Sequence, residues 1–202
     1  MARFSGTIIG DLPAVRRAFI FPGQGSQKVG MGQDLQRAFG AAREVFEEVD
    51  EALGEKLSTI IFEGPEEALR LTRNTQPALM AMSMAGVRVI ERESGKKIAD
   101  LAQALAGHSL GEYSALAAAG ALSLSDAARL LRLRGDAMQQ AVPVGEGAMA
   151  ALLGADIPLA EEIAGAAAGG EVCGLANDNA VGQVVLSGAK PAIDRAVALA
   201  GE

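Results

Sequence analysis

Residues 101–119 read LAQALAGHSLGEYSALAAA. The apolar run 101–106 has the length of a buried strand, and Glu112 to Ala119 is rich in alanine, the best helix former. Between them lies Gly107-His108-Ser109-Leu110-Gly111. A strand, G-x-S-x-G and a helix in that order give the context of a nucleophile elbow, in which a sharp turn exposes the serine hydroxyl. Glycines on either side let the turn close without side-chain clashes. The following helix aims its free N–H groups at the place where negative charge grows during acyl transfer. A glycine-bounded turn of no catalytic purpose is the plain alternative.

Composition narrows the remaining choices. The chain has 202 residues, half of them apolar, with a formal net charge of −7. That balance argues against nucleic acid and anionic membranes as partners. Aromatic residues are 3% of the chain, too few for a base-stacking platform. Cys173 is the single cysteine, so no internal disulfide can form, and a reducing cytoplasm is the default. Its apolar surroundings favour a small core residue over a reactive thiol. No segment approaches the ~18 apolar residues of a membrane span. Residues 1–17 lack the apolar centre of a signal peptide and read as a flexible leader.

The rest of the chain reads as alternating strands and helices. A short strand over Ala18–Phe21 runs into the glycine-rich loop FPGQGSQ (21–27). Helical spacing of apolar residues marks 39–53, and Pro65 opens a short helix, PEEALRLT. Residues 57–62 are mixed, between a turn of helix and a strand. Thr75-Gln76-Pro77 is expected to open a longer helix to about Glu93, with Gly95 as its stop. Ser123 or Ser125 caps another helix ending near Ala141. Pro143, Gly145 and Gly147 then form a linker. Beyond it the order is strand (148–154), helix (158–168), strand (172–176), strand (183–187) and helix (191–200). NDNAVG (177–182) joins the two later strands. This is β-α-β-β-α, one strand short of a ferredoxin-like unit.

Chemistry concentrates in a few residues. Ser109 is the candidate nucleophile, and the sole histidine, His108, stands beside it. Neighbours on a sharp turn diverge, so His108 suits orienting the elbow better than taking the serine proton. The loop holding Gln24 leaves the C-terminal end of a strand, the face where α/β proteins bind ligands. An N–H from that loop can join Leu110 N–H as an oxyanion hole. Arg134 falls within an apolar stripe of its helix, Ala127, Leu130, Leu131, Ala137, Met138 and Ala141. An inward guanidinium needs an anionic partner, either a protein carboxylate or a substrate carboxylate.

FPGQGSQ, NTQPAL (74–79), AGHSLGEYSAL (106–116), RLRGDAMQQAV (132–142) and NDNAVGQVVLSG (177–188) occur in that order. Together they resemble malonyl-CoA:acyl-carrier-protein transacylase of fatty-acid synthesis, from about Arg17 to Glu202. The resemblance implies an α/β fold: an α/β-hydrolase-like large domain, a parallel sheet with flanking helices, carrying an inserted ferredoxin-like small domain. With the composition shifts it suggests a leader (1–17), a large domain (18–142) and a small domain (143–202) lacking its last strand. It implies an acyltransferase that moves malonyl from coenzyme A to the phosphopantetheine thiol of acyl carrier protein through an acyl-serine. Coenzyme A thioester is then substrate, with no resident cofactor and no metal. By the same resemblance Ser109 is the nucleophile, Gln24 and Leu110 N–H form the oxyanion hole, and Arg134 grips the malonyl carboxylate. Asn177 and Asn179 match asparagines near the cleft; His108, from its place on the turn rather than from the resemblance, joins the substrate-binding candidates.

The family's catalytic histidine falls past the second helix of the small domain, where these residues end. The 202 residues are therefore expected to be an N-terminal portion, poorly stable alone and slow in transfer without that base. Two other readings stay open: a serine hydrolase or thioesterase of α/β-hydrolase type, and a non-catalytic binder of acyl-CoA or carrier protein. A hydrolase gives no reason for Arg134 or the GQGSQ loop.

Overall fold

Apolar spacing in the first half produces helices wrapped on a short parallel sheet. The computed structural model describes residues 16–143 and 145–201. Strand β1 (Ala18–Phe21) leads through the 21–27 loop to α1 (Gln33–Ala38) and α2 (Gly40–Leu53). Helix α2 buries Ala42, Val45, Phe46 and Val49, the positions its periodicity marks, and Gly54 closes it at φ 66°. Buried Asp50 accepts from Ser58 N–H (2.9 Å) and Ser58 Oγ (2.6 Å). That carboxylate serves the open N-terminus of α3 (Leu57–Glu63), so the ambiguous 57–62 stretch is helical. A short α4 (Glu66–Arg70) follows Pro65.

Helix α5 (Thr72–Ser94) starts earlier than its proline suggests, placing Pro77 inside it and Gly95 at its end. Pro77 cannot donate to the carbonyl of Arg73, four residues back. Arg132 Nη1 donates to that carbonyl at 2.8 Å instead. An outside donor thus repairs the gap in the helix ladder. Helix α6 (Ile98–Leu101) takes the first residue of the expected 101–106 strand. Strand β2 (Ala104–Gly107) begins only after Leu101 has been buried as a helical anchor. Strands β1 and β2 pair in parallel, Ala18 with Ala104 through Phe21 with Gly107. Helix α7 (Leu110–Ala118) leaves β2 at the elbow, and α8 (Leu124–Ala141) follows, with Ser123 Oγ accepting from Asp126 N–H (3.0 Å).

The chain divides into two compact units between Gln139 and Gln140. In the second, β3 (Gly147–Leu153) precedes α9 (Ile157–Ala168), β4 (Cys173–Ala180), β5 (Gln183–Ala189) and α10 (Lys190–Ala200). Its antiparallel sheet has the order β3-β5-β4 and a core of Leu152, Val184, Leu186, Ile193 and helix alanines. Cys173 packs half-buried against that core. Asp156 caps α9 by accepting from Leu159 N–H (3.0 Å). The NDNAVG connection is shorter than expected. Residues 177–180 extend β4, with two register shifts, and only Val181 and Gly182 turn. The α/β class holds, with the parallel sheet in one unit and the small antiparallel sheet in the other. Residues 1–15 of the expected leader lie outside the described residues.

Candidate active site

Ser109 sits at φ 55°, ψ −114°, the one non-glycine among the described residues with positive φ. Such a conformation costs on the order of 1–3 kcal/mol and persists only where its surroundings enforce it. Two glycines do so. A Cβ on Gly107 would stand 2.0 Å from the carbonyl carbon of Gly111, and one on Gly111 would stand 2.3 Å from the carbonyl oxygen of Phe21. Strand β2, the turn and the start of α7 therefore close on each other backbone to backbone. His108 N–H donates to Phe21 O (3.1 Å), tying the turn to the end of β1. Ser109 and its hydroxyl face outward, while Leu110 is buried.

The loop after β1 passes along the same turn. A Cβ on Gly23 would lie 2.5 Å from His108 Nδ1 and 3.1 Å from His108 O. The imidazole thus rests against the loop that carries Gln24. Gln24 Nε2 donates to Thr72 Oγ1 at 3.4 Å, linking the loop to the start of α5. Leu110 opens α7, so its N–H has no intrahelical acceptor and remains available beside the serine.

Arg134 reaches this turn from α8. Its Nη2 donates to Ser109 Oγ at 3.0 Å and its Nη1 to Gln76 Oε1 at 2.6 Å. Among the described residues no carboxylate pairs with it. Its placement differs from the expected stripe. Helix α8 buries Leu124, Ala127, Ala128, Leu131 and Gly135, whereas Leu130, Ala137, Met138 and Ala141 are exposed. Gly135 explains the rotation: a Cβ there would come within 2.6 Å of Arg73 Cα, so α8 approaches α5 along its 131–135 line. Arg134 flanks that line, half-buried, with its head at the serine.

Three supports of the site carry no motif of their own. Gln76 is fully buried and holds Arg134. Arg132 joins Arg73 O, Asn74 Oδ1 (2.6 Å) and the Glu55 carboxylate. Burial lowers its guanidinium pKa, with Asp136 opposing the shift. Asp136 itself pairs with Arg73 at 2.7 Å. The signal for all three was the run of polar residues, Asn74, Thr75 and Gln76, on a helix that buries them. Asn177 and Asn179 are exposed on β4 of the second unit. Among the described residues no cluster of three or more His, Cys, Asp or Glu could hold a metal ion. Nor is any helix among them long and apolar enough to cross a membrane.

Comparison with known proteins bears on this arrangement. The malonyl CoA-acyl carrier protein transacylase of Bacillus subtilis is 49% identical over 186 residues, covering 92% of this chain and 57% of that protein. The crystal structure of acyl-carrier-protein-S-malonyltransferase from Bartonella henselae superposes with a TM-score of 0.87 at 58% identity. That match covers 93% of this chain and 59% of the other. A malonyl-transacylase solved in complex with a type II PKS acyl-carrier protein gives a TM-score of 0.84 at 43% identity, covering 93% of this chain and 59% of the other. The chain thus spans somewhat under three-fifths of the length of these relatives. The model of the acyl transferase domain family matches residues 18–202. With its elbow serine and facing arginine, the chain belongs to the acyl transferase domain family.

Proposed function

We propose that the chain supplies the acyl-accepting part of a malonyl-CoA:acyl-carrier-protein transacylase of fatty-acid synthesis. Ser109 Oγ forms a bond to the thioester carbonyl carbon of malonyl-CoA, and coenzyme A leaves as its thiol. The malonyl group then passes from Oγ to the phosphopantetheine thiol of acyl carrier protein. Leu110 N–H and an N–H of Gln24 face the oxyanion of each tetrahedral intermediate. Arg134, a permanent cation, cannot take the serine proton, so a separate base does. Its part is to hold the free carboxylate of malonyl. His108 orients the elbow on the substrate side. The large domain is taken as 18–142 and the small domain as 143–202, and Asn177 and Asn179 are the substrate-binding candidates of the small one. Coenzyme A is substrate here rather than resident cofactor, and the reaction belongs to the cytoplasm.

One observation carries the reading. A half-buried guanidinium without a carboxylate partner among the described residues is hydrogen-bonded to the hydroxyl of a strained elbow serine. A plain esterase has no use for a cation placed there. Incubation with radiolabelled malonyl-CoA tests it. Label is expected on the peptide holding Ser109, absent from Ser109→Ala and retained in Cys173→Ala. Label that survives Ser109→Ala and disappears in Cys173→Ala overturns the assignment.

A further inference from the structure

We infer that Gln76 is the positioning residue through which Arg134 discriminates acyl groups bearing a free carboxylate from neutral ones. The inference rests on the proposed malonyl transfer.

Gln76 is the fifth residue of α5 and has no exposed surface. Its amide is oriented by what surrounds it. Oε1 accepts from Arg134 Nη1 at 2.6 Å, and Nε2 donates to Met138 Sδ at 3.3 Å. Turning the amide over would set NH₂ against a guanidinium that only donates, and Oε1 against a sulfur that donates nothing. One orientation therefore satisfies both neighbours. Holding Nη1 in this way leaves Nη2 directed at Ser109 Oγ, the atom to which the acyl group is to be attached.

The choice of an amide has a consequence that a carboxylate would not have. Gln76 fixes the guanidinium without neutralising it, so the full positive charge stays available to an incoming anion. A glutamate of the same shape would satisfy Nη1 equally well and would already provide the counter-charge. The adjoining residues keep this part of α5 in place. Arg132 takes up the Arg73 carbonyl and Asn74 Oδ1, and Thr75 Oγ1 donates to Leu69 O at 2.6 Å.

The test compares Ser109 acylation rates with malonyl-CoA and acetyl-CoA in the wild-type chain, Gln76→Glu and Gln76→Met. Thermal melts accompany each protein. The malonyl-to-acetyl ratio is expected to fall at least about tenfold in Gln76→Glu at an unchanged melting temperature, the size of one charge-assisted contact. A fall is also expected in Gln76→Met, which removes the acceptor and carries the test should the glutamate not fold. A wild-type ratio favouring malonyl that persists in the folded variants overturns this inference and leaves malonyl transfer standing. A wild-type chain that accepts acetyl as readily as malonyl refutes the proposed function, and the inference with it.

Discussion

Ser109 keeps its φ of 55° because its neighbours leave it no alternative. A side chain at 107 would run into the Gly111 carbonyl and one at 111 into the Phe21 carbonyl, and His108 N–H ties the turn to Phe21 O. This is legible in the sequence, since G-x-S-x-G between a strand and a helix requires those glycines. The environment of Ser114, one turn further along α7, was not legible. Its hydroxyl is fully buried and has no hydrogen-bond partner among the described residues. An unpaired buried hydroxyl costs about 1–3 kcal/mol in mutational data. Ser114→Ala is therefore expected to raise stability by up to about that amount while leaving the fold intact. Urea unfolding of the two proteins checks this, and a drop of about 1 kcal/mol or more would show that the hydroxyl is satisfied in solution.

At the scale of elements, the join between α5 and α8 sets where Arg134 points. Pro77 opens the α5 ladder at the Arg73 carbonyl, and Arg132 closes it from α8. Arg132 also meets Asn74 and Glu55, and its side chain is only 12% exposed. Arg132→Met should cost about 1–3 kcal/mol, since it takes the donor from the Arg73 carbonyl and from buried Asn74 Oδ1 and the partner from Glu55. Pro77→Ala restores an N–H for the Arg73 carbonyl, so the cost of Arg132→Met should be smaller in that background by about 1 kcal/mol. A double-mutant cycle by denaturant unfolding measures the difference, and strict additivity would contradict the repair role. Proline normally marks a helix start, which is why the sequence places the beginning of α5 at Thr75 rather than Thr72. Similarly, alternation could not separate NDNA as strand from NDNA as turn. Turn-forming residue types dominate the stretch, while pairing with β5 decides its conformation. By contrast α2 was readable throughout, because its buried residues follow one period without interruption.

At the scale of the whole molecule, the two units show how far patterning reaches. The second was legible as β-α-β-β-α from apolar runs alone, and its sheet order of β3-β5-β4 fits that reading. In the first, the strand–elbow–helix and the glycine loop were legible, and so was Arg134 as the cation that needed explaining. Its true setting was not: Gly135 turns α8 so that Arg134 flanks the buried line, a rotation that only packing against Arg73 reveals. The order of five motifs along the chain gave the family, and the match over residues 18–202 agrees with it.

In the proposed function a cation facing the nucleophile selects an acyl group by its free carboxylate. Arg134→Ala measures it most directly, with Ser109 acylation followed by intact-protein mass for malonyl-CoA and acetyl-CoA side by side. Losing a charge-assisted bidentate contact of roughly 1.5–3 kcal/mol should lower the malonyl rate about ten- to a hundredfold relative to acetyl. Equal losses for both thioesters would contradict the account and make Arg134 a structural support of the elbow.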